Sequence, residues 1–133
     1  MIVVDTNVLS YLLLHGPQTE EAEKVYARDA RWAAPLLWRS EFRDVLVSYL
    51  RRRIFVLEEA LTHMQDAEGL LAGQTFDVSS ERVLSLAATS ECTTYDRECV
   101  ALAQDLRVPL VTSDEEVLSK FMSIAVSMRA FGA

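Results

Sequence analysis

The sequence predicts an α/β fold with a central, mainly parallel sheet and helices on both of its faces. Short apolar runs alternate with longer segments in which apolar residues recur at helical spacing. Runs of the first kind indicate buried strands, and segments of the second kind indicate amphipathic helices. Strands that alternate with helices along a chain form a parallel sheet covered by helices.

The first predicted strand is residues 2–4, a run of isoleucine and valine that ends at Asp5. A second predicted strand, residues 31–34, is followed by Pro35, which suits the first turn of a helix. Residues 74–78 are either an edge strand or an extended connector. The remaining predicted strands are residues 92–94, 108–112 and 124–126. The second of these has a proline near its start, where a strand tolerates one.

Helical spacing of apolar residues predicts the helices between these strands. The segment from 36 to 52 places its large apolar residues on one face of a helix. These residues are Trp38, Phe42, Val45, Leu46 and Tyr49. The predicted helices are residues 6–14, 18–29, 36–52, 58–72, 81–90, 95–106 and a short one that ends near 120.

Serine residues predict where two of these helices begin. Ser79 or Ser80 can cap the helix at 81–90 by accepting a hydrogen bond from its first turn. Ser113 and Glu116 have the spacing of a capping box, with Ser113 as the N-cap of the short helix.

The composition is that of a globular protein, and we expect residues 1–133 to form a single domain. With 3 prolines and 4 glycines in the chain, no linker is expected. The net charge of −7 argues against a large basic surface that binds nucleic acid through many phosphates. It fits a chain that concentrates carboxylates around a metal, or one that has a basic partner.

The apolar runs of the chain predict a cytoplasmic protein, a reducing compartment in which disulfides are rare. The apolar start meets a charge at Asp5, too early for a signal peptide, and no apolar run approaches the roughly 20 residues of a membrane span. Cys92 and Cys99 lack the spacing of a CxxC pair, and we expect both to be small buried residues rather than a disulfide.

Three carboxylates follow predicted strands. Asp5 comes directly after residues 2–4, whereas a single residue separates Asp96 and Asp114 from the ends of their strands. Because the carboxyl ends of parallel strands share one edge of a sheet, these acids are expected to converge there. Asp96 also lies on the apolar stripe of its helix, one turn before Cys99, and Glu41 borders the apolar stripe of the helix at 36–52.

Each of these acids alone has an ordinary structural interpretation, which stays open. Asp5 fits an N-cap, Asp96 and Asp114 fit first-turn acids favoured by the helix dipole, and Glu41 fits a solvated or salt-bridged residue. Their joint arrangement favours a site. Crowded carboxylates repel one another and raise each other's pKa, and a hard cation such as Mg²⁺ or Mn²⁺ relieves the repulsion. Such a site suits metal-assisted hydrolysis of phosphodiesters.

The chain resembles the PIN-domain nucleases, specifically the small VapC-type toxins of type II toxin–antitoxin pairs. The resemblance spans nearly the whole chain. The residues that carry it are Val4-Asp5-Thr6-Asn7-Val8-Leu9, Ser40-Glu41, Tyr95-Asp96-Arg97-Glu98-Cys99-Val100-Ala101-Leu102-Ala103 and Val111-Thr112-Ser113-Asp114. The resemblance implies a three-layer α/β/α fold. It also implies a Mg²⁺- or Mn²⁺-dependent endoribonuclease whose cognate antitoxin blocks the site, and a homodimer.

By motif match, the resemblance assigns the acidic, metal-binding site to four residues. Asp5 and Asp96 are the firmest metal ligands, Glu41 binds metal directly or through water, and Asp114 completes a second metal site or orients the attacking water. The supporting hydrogen-bonding groups are Thr6, Asn7, Thr112 and Ser113. Cys99 departs from the aromatic residue that relatives often have there, which bears on packing.

Basic residues that could contact RNA phosphates lie on or near the helix at 36–52. They are Arg39, Arg43, Arg51, Arg52 and Arg53. For the run of three arginines, a solvated helix end favoured by the dipole is an equally good interpretation.

Two other functions remain open. A catalytically weak PIN-like module that binds RNA or protein would keep the fold without efficient cleavage. A phospho-acceptor signalling domain is also small, acidic and α/β, but it would normally have adjacent acids after its first strand and a lysine after its last. Here Thr6 and Asn7 follow Asp5, and Lys120 precedes the last predicted strand. Asn7 likewise occupies the second acid position of an Asp-x-Asp phosphatase.

Overall fold

The computed structural model describes residues 1–88 and 92–133. Within them, five strands and eight helices follow one another along the chain. The strands are β1 (Ile2–Val4), β2 (Trp32–Pro35), β3 (Thr75–Phe76), β4 (Leu110–Thr112) and β5 (Ala125–Ser127). The helices are α1 (Thr6–Leu13), α2 (Thr19–Arg28), α3 (Trp38–Arg51), α4 (Leu57–Leu70), α5 (Ser80–Ala87), α6 (Thr94–Leu106), α7 (Glu115–Lys120) and α8 (Met128–Gly132).

The strands form one sheet in the order β3-β2-β1-β4-β5, and every described pair is parallel. β1 is the central strand: Val3 pairs with Ala33 on one side and with Leu110 on the other. All of its residues are buried, as expected for a strand covered by helices on both faces. The predicted α/β class with a PIN-like three-layer arrangement is confirmed, and the sheet is parallel throughout.

The core lies between this sheet and the helices. Its largest fully buried side chains include Trp32 on β2, Trp38 and Phe42 on α3, and the branched residues of β1. α6 contributes a buried stripe that contains Cys99 and packs against β1, β2 and β4. Both cysteines, in the described part of the chain, are buried thiols, as predicted. None of the helices in the described residues is long and apolar enough to cross a membrane.

The strand predicted at residues 92–94 is wrong. Thr93 is instead the N-cap of α6: its hydroxyl accepts a hydrogen bond from the Asp96 N–H at 3.1 Å. Two adjacent threonines favour a strand by propensity, but here the hydroxyl of the first satisfies an N–H at the helix start. Residues 75–76 form β3, which pairs with β2. The open choice for residues 74–78 therefore resolves to a short edge strand.

Two further boundaries differ from the prediction. Pro35 is the last residue of β2 rather than part of a helical turn. The ladder to β3 uses the N–H groups of Ala34 and Leu36, so the missing N–H of Pro35 breaks none of those bonds. The N-cap of α7 is Asp114 rather than Ser113, because the Asp114 carboxylate accepts from the Val117 N–H at 3.1 Å.

The carboxyl-terminal part of the chain contains a helix that the sequence pattern did not predict. This helix is α8, which follows β5 directly and is capped by Ser127, the last residue of that strand. The other predicted elements agree to within a few residues, and Ser79 is the N-cap of α5. The predicted end of the helix at 81–90 lies outside the described residues.

Replacement of Phe42 tests the packing of α3, the helix that carries Glu41. Phe42 is fully buried, so Phe42→Ala should lower the free energy of unfolding by about 3–5 kcal/mol through lost contacts and a cavity. Val47→Ala on the same helix is the matched control, because Val47 is 37% exposed, and it should change stability by about 0.5 kcal/mol or less. Urea unfolding measures both, and equal effects would contradict the described burial.

Candidate active site

A cleft of about 450 Å³ opens at the edge of the sheet where β1 and β4 end. The four acids that the sequence predicted as site residues all line it: Asp5, Glu41, Asp96 and Asp114. They lie at the starts of four different helices, α1, α3, α6 and α7, and the parallel sheet brings these helix starts together. Thr6, Asn7, Leu37, Thr93, Thr94 and Tyr95 complete the described lining.

Asp5 is the most buried of these acids, with 7% of its surface exposed. One carboxylate oxygen accepts from the Val8 N–H at 3.0 Å, which makes Asp5 the N-cap of α1. The other accepts from the Thr112 hydroxyl at the end of the neighbouring strand β4. Burial nevertheless raises the pKa of Asp5 to about 6, with repulsion from Asp96 and Asp114 adding to the effect.

Thr112 links Asp5 to Asp114. Its hydroxyl donates to the Asp5 carboxylate and accepts from the Asp114 N–H at 3.1 Å. Thr112 is itself buried, so this hydroxyl bridges the ends of β1 and β4 away from solvent. The bridge holds the start of α7, and with it the Asp114 carboxylate, next to the end of β1.

Asp96 lies in the first turn of α6, half-buried, and forms a capping box with Thr93. The Thr93 N–H donates to its carboxylate at 3.4 Å. Partial burial raises the pKa of Asp96, and repulsion from Asp114 contributes, although the hydrogen bonds with Thr93 oppose the shift. The charges of Asp5, Asp96 and Asp114 therefore interact across the cleft.

Glu41 reaches the cleft from the first turn of α3. Partial burial raises its pKa, and repulsion from Asp44 and Asp96 adds to the effect. Glu98, on α6, also has a raised pKa through burial and repulsion from Asp77 and Glu41. The negative potential thus extends from the cleft along the side of α6.

The chemistry of the lining fits a hard divalent cation, because its charged groups are carboxylates whose mutual repulsion a cation would offset. In residues 1–88 and 92–133, however, no three His, Cys, Asp or Glu side chains stand close enough together to hold a metal ion. Asp5, Asp96 and Asp114 are held instead by N–H and hydroxyl donors. A carboxylate oxygen has two lone pairs, so a cation and such a donor can share it.

The other predicted residues divide into two groups. Thr6 and Asn7 line the cleft, and Thr112 lies behind it, hydrogen-bonded to the lining residue Asp5. Ser113 is half-buried and is not part of the described lining. The described lining also contains no arginine: Arg39 pairs with Glu68 and stacks on Trp38, while Arg52 lies over the Tyr49 ring.

Tyr95 is one of the lining residues, with Leu37, Thr93 and Thr94, that the sequence pattern did not mark as functional candidates. It is buried, and its hydroxyl accepts a hydrogen bond from the Thr6 hydroxyl at 3.1 Å. Its position offered a signal, because Tyr95, Cys99 and Leu102 share one face of α6 and all three point inward. Thr93 and Thr94 were assigned to a strand, which concealed their place at the start of a helix that opens onto the cleft.

The parallel sheet, the helices on both faces and the acidic cleft at one edge define an α/β protein with a carboxylate site. The chain belongs to the PIN domain family, whose model matches residues 2–121. PIN domains are generally nucleases, and the nucleases of this family generally use divalent metal ions. A search of curated protein sequences finds no significant match.

Several solved structures share the fold, among them the following two. The first is PAE2754 from Pyrobaculum aerophilum, with 21% identity and a TM-score of 0.71 over 98% of this chain and 92% of that one. The second is a toxin–antitoxin complex from Klebsiella pneumoniae, with 20% identity and a TM-score of 0.68 over 96% of this chain and 98% of that one. At this identity the likeness concerns the fold alone.

The raised pKa of Asp5 predicts how stability depends on pH in metal-free protein. Below about pH 4 the carboxyl is protonated in both the folded and the unfolded state. Between pH 4 and 6 the folded state binds the proton more tightly, so stability falls as pH rises, by up to about 3 kcal/mol. Asp5→Asn keeps a cap for Val8 and a partner for Thr112 without the charge. In EDTA it should be about 1–3 kcal/mol more stable than wild type near pH 7, with the gain lost near pH 4.

Chemical unfolding at the two pH values measures this difference. The control is Asp66→Asn, an exposed acid on α4, which should follow wild type at both. An Asp5→Asn protein that is less stable than wild type near pH 7 would mean that the carboxylate is stabilised by its donors rather than penalised by burial.

Proposed function

We propose that this chain is a single PIN domain that acts as a divalent-metal-dependent endoribonuclease. It would hydrolyse RNA phosphodiester bonds in the cleft lined by Asp5, Glu41, Asp96 and Asp114. It would serve as the toxin of a toxin–antitoxin pair. The observation that carries the proposal is the convergence of these four acids on one cleft, with raised pKa values at three of them, in a member of a family of nucleases.

In this proposal the residues of the chain build the site in three parts. Asp5 and Asp96 hold the metal, Glu41 binds it directly or through water, and Asp114 completes a second metal site or orients the attacking water. Thr112 and the Val8 N–H fix the two oxygens of Asp5, so its orientation is set before any ligand enters. A bound Mg²⁺ or Mn²⁺ would polarise the phosphodiester, favour ionisation of a water and offset charge on the leaving oxygen.

The mouth of the cleft supplies the remaining groups. Asn7 is exposed at its rim and carries an amide that can hydrogen-bond to a phosphate or sugar oxygen. Thr94 is exposed at the start of α6, and the helix N-terminus beside it favours a phosphate. Leu37, 38% exposed, is an apolar surface on which a base can rest.

The proposal includes two protein partners, a cognate antitoxin and a second copy of this chain. One of the solved structures that share the fold is described as a toxin–antitoxin complex, which supports a cognate antitoxin for this chain. The acidic cleft suits a partner that inserts a basic side chain into it and so competes with the metal. A homodimer is proposed on the family resemblance.

Cleavage assays on purified protein, freed of any partner, test the nuclease. With single-stranded RNA, wild type should cut in Mg²⁺ or Mn²⁺ and stop in EDTA, and re-addition of metal should restore cutting. Asp5→Asn and Asp96→Asn should each lower the rate by about a hundredfold or more, as expected when one charged group leaves an active site. Asp66→Asn, an exposed acid on α4, is the matched control and should cut normally.

Two results would contradict the proposal in different ways. Cleavage that continues at full rate in EDTA would exclude the metal mechanism. Binding of RNA without cleavage in either metal, by wild type and by both site variants alike, would favour the catalytically weak PIN-like module. DNA of the same sequence, run in parallel, decides whether RNA is the substrate.

Five exposed arginines, Arg39, Arg43, Arg51, Arg52 and Arg53, remain the proposed RNA phosphate contacts. If the run from 51 to 53 contacts three phosphates, its replacement by glutamine should reduce the salt slope of RNA binding by about 2. Arg31→Gln is the control, because Arg31 is an exposed arginine at the edge of the sheet where the strands begin, away from the cleft. Binding of labelled RNA over a range of KCl concentrations, in EDTA to prevent cleavage, measures the slope. An unchanged slope would assign the run to a solvated helix end.

A further inference from the structure

A buried hydrogen bond joins the neighbours of two site acids. The Thr6 hydroxyl donates to the Tyr95 hydroxyl at 3.1 Å, across 89 positions of sequence. Thr6 directly follows Asp5, and Tyr95 directly precedes Asp96. The bond therefore connects the first turn of α1 to the first turn of α6 at the point where each helix presents its acid to the cleft.

This bond constrains the distance between the starts of α1 and α6, which the other hydrogen bonds of Asp5 and Asp96 do not constrain. Asp96 is held by Thr93 within its own capping box, which sets the orientation of its carboxylate. Asp5 is held by Val8 and Thr112, which lie on α1 and β4. These contacts orient each carboxylate, whereas the bond between Thr6 and Tyr95 spans from one helix start to the other.

The surroundings of the bond make it stiff. Thr6 is 6% exposed and Tyr95 is 7% exposed, so water does not compete for either hydroxyl. Cys99, fully buried one turn further along α6, lies on the same inward face of the helix as Tyr95. The bond is thus shielded from solvent, and movement of one helix start relative to the other breaks a bond that water cannot replace.

We propose that Thr6 and Tyr95 form a positioning clamp that sets the separation of Asp5 and Asp96, and through it the affinity of the cleft for a divalent cation. The inference rests on the proposed function, because it assigns metal binding to those two acids. Both residues act through the acids beside them. A merely structural bond would change the stability of the fold and leave metal affinity alone.

The experiment measures Mn²⁺ affinity by the EPR signal of free Mn²⁺ and stability by urea unfolding, both on the full chain. Tyr95→Phe removes one hydroxyl and keeps the ring, and Thr6→Val removes the other with little change in shape. Each should weaken Mn²⁺ binding by about tenfold, a magnitude typical of groups that orient metal ligands. Thr6→Ser, which keeps the hydroxyl, should bind Mn²⁺ as wild type does.

The double variant and two controls sharpen the result. Because both substitutions break one bond, Tyr95→Phe combined with Thr6→Val should bind Mn²⁺ about as weakly as either single variant. Tyr11→Phe on α1 and Thr62→Val on α4 make the same chemical changes away from the cleft and should leave the affinity unchanged. Additive losses in the double variant would show that the two hydroxyls do not act as one clamp.

The outcomes separate this inference from the proposed function. If wild type binds Mn²⁺, Asp5→Asn abolishes binding, and Tyr95→Phe and Thr6→Val bind normally, the clamp is wrong and the metal site stands. A loss of stability without a loss of affinity in the last two variants leads to the same conclusion. If wild type and Asp5→Asn both fail to bind Mn²⁺, the metal site is wrong and the clamp falls with it.

Discussion

The site depends on one buried carboxylate, that of Asp5 at the end of the central strand. A charge in this position is unfavourable unless donors replace its lost water. The fold supplies two: the Val8 N–H from the helix that follows, and the Thr112 hydroxyl from the neighbouring strand. Burial still outweighs them, and the pKa rises to about 6. The strand order β2-β1-β4 is what places Thr112 beside Asp5, so the sheet topology and the site are one arrangement.

The same constraint explains why three of the four site acids also take part in helix caps. Asp5 caps α1, Asp114 caps α7, and Asp96 completes the capping box of α6. A cap fixes the rotamer of its carboxylate, and the positive end of a helix dipole offsets part of the repulsion among the acids. The structural and functional interpretations of these residues are therefore compatible. The bonds that cap the helices also hold the carboxylates around the cleft.

The parts of the fold that the sequence could predict are those with a local signal. The apolar run before Asp5 and the apolar stripe of α3 beside Glu41 each lie within a single strand or helix, so a short stretch of sequence predicts them. β3 is two residues long, too short for any periodicity, and its pairing with β2 decides its conformation. The bonds between Thr6 and Tyr95 and between Thr112 and Asp5 span 89 and 107 positions, so no window of sequence contains both partners. The sequence does not distinguish a strand from a helix start at residues 92–94, because a threonine pair suits a strand as well as a cap.

That ambiguity makes the position of Asp96 instructive, since the acid lies in the cleft without a strand before it. α6 is joined to β4 by three residues, so the end of the helix must lie near the amino end of that strand. Thirteen helical residues rise about 20 Å, enough to cross the sheet. The start of α6 is consequently carried to the edge where the parallel strands end, whatever precedes it. The direction of the strand after the helix places Asp96 beside Asp5, and an acid in the first turn of such a crossover helix is therefore a candidate for this edge even when no strand leads into it.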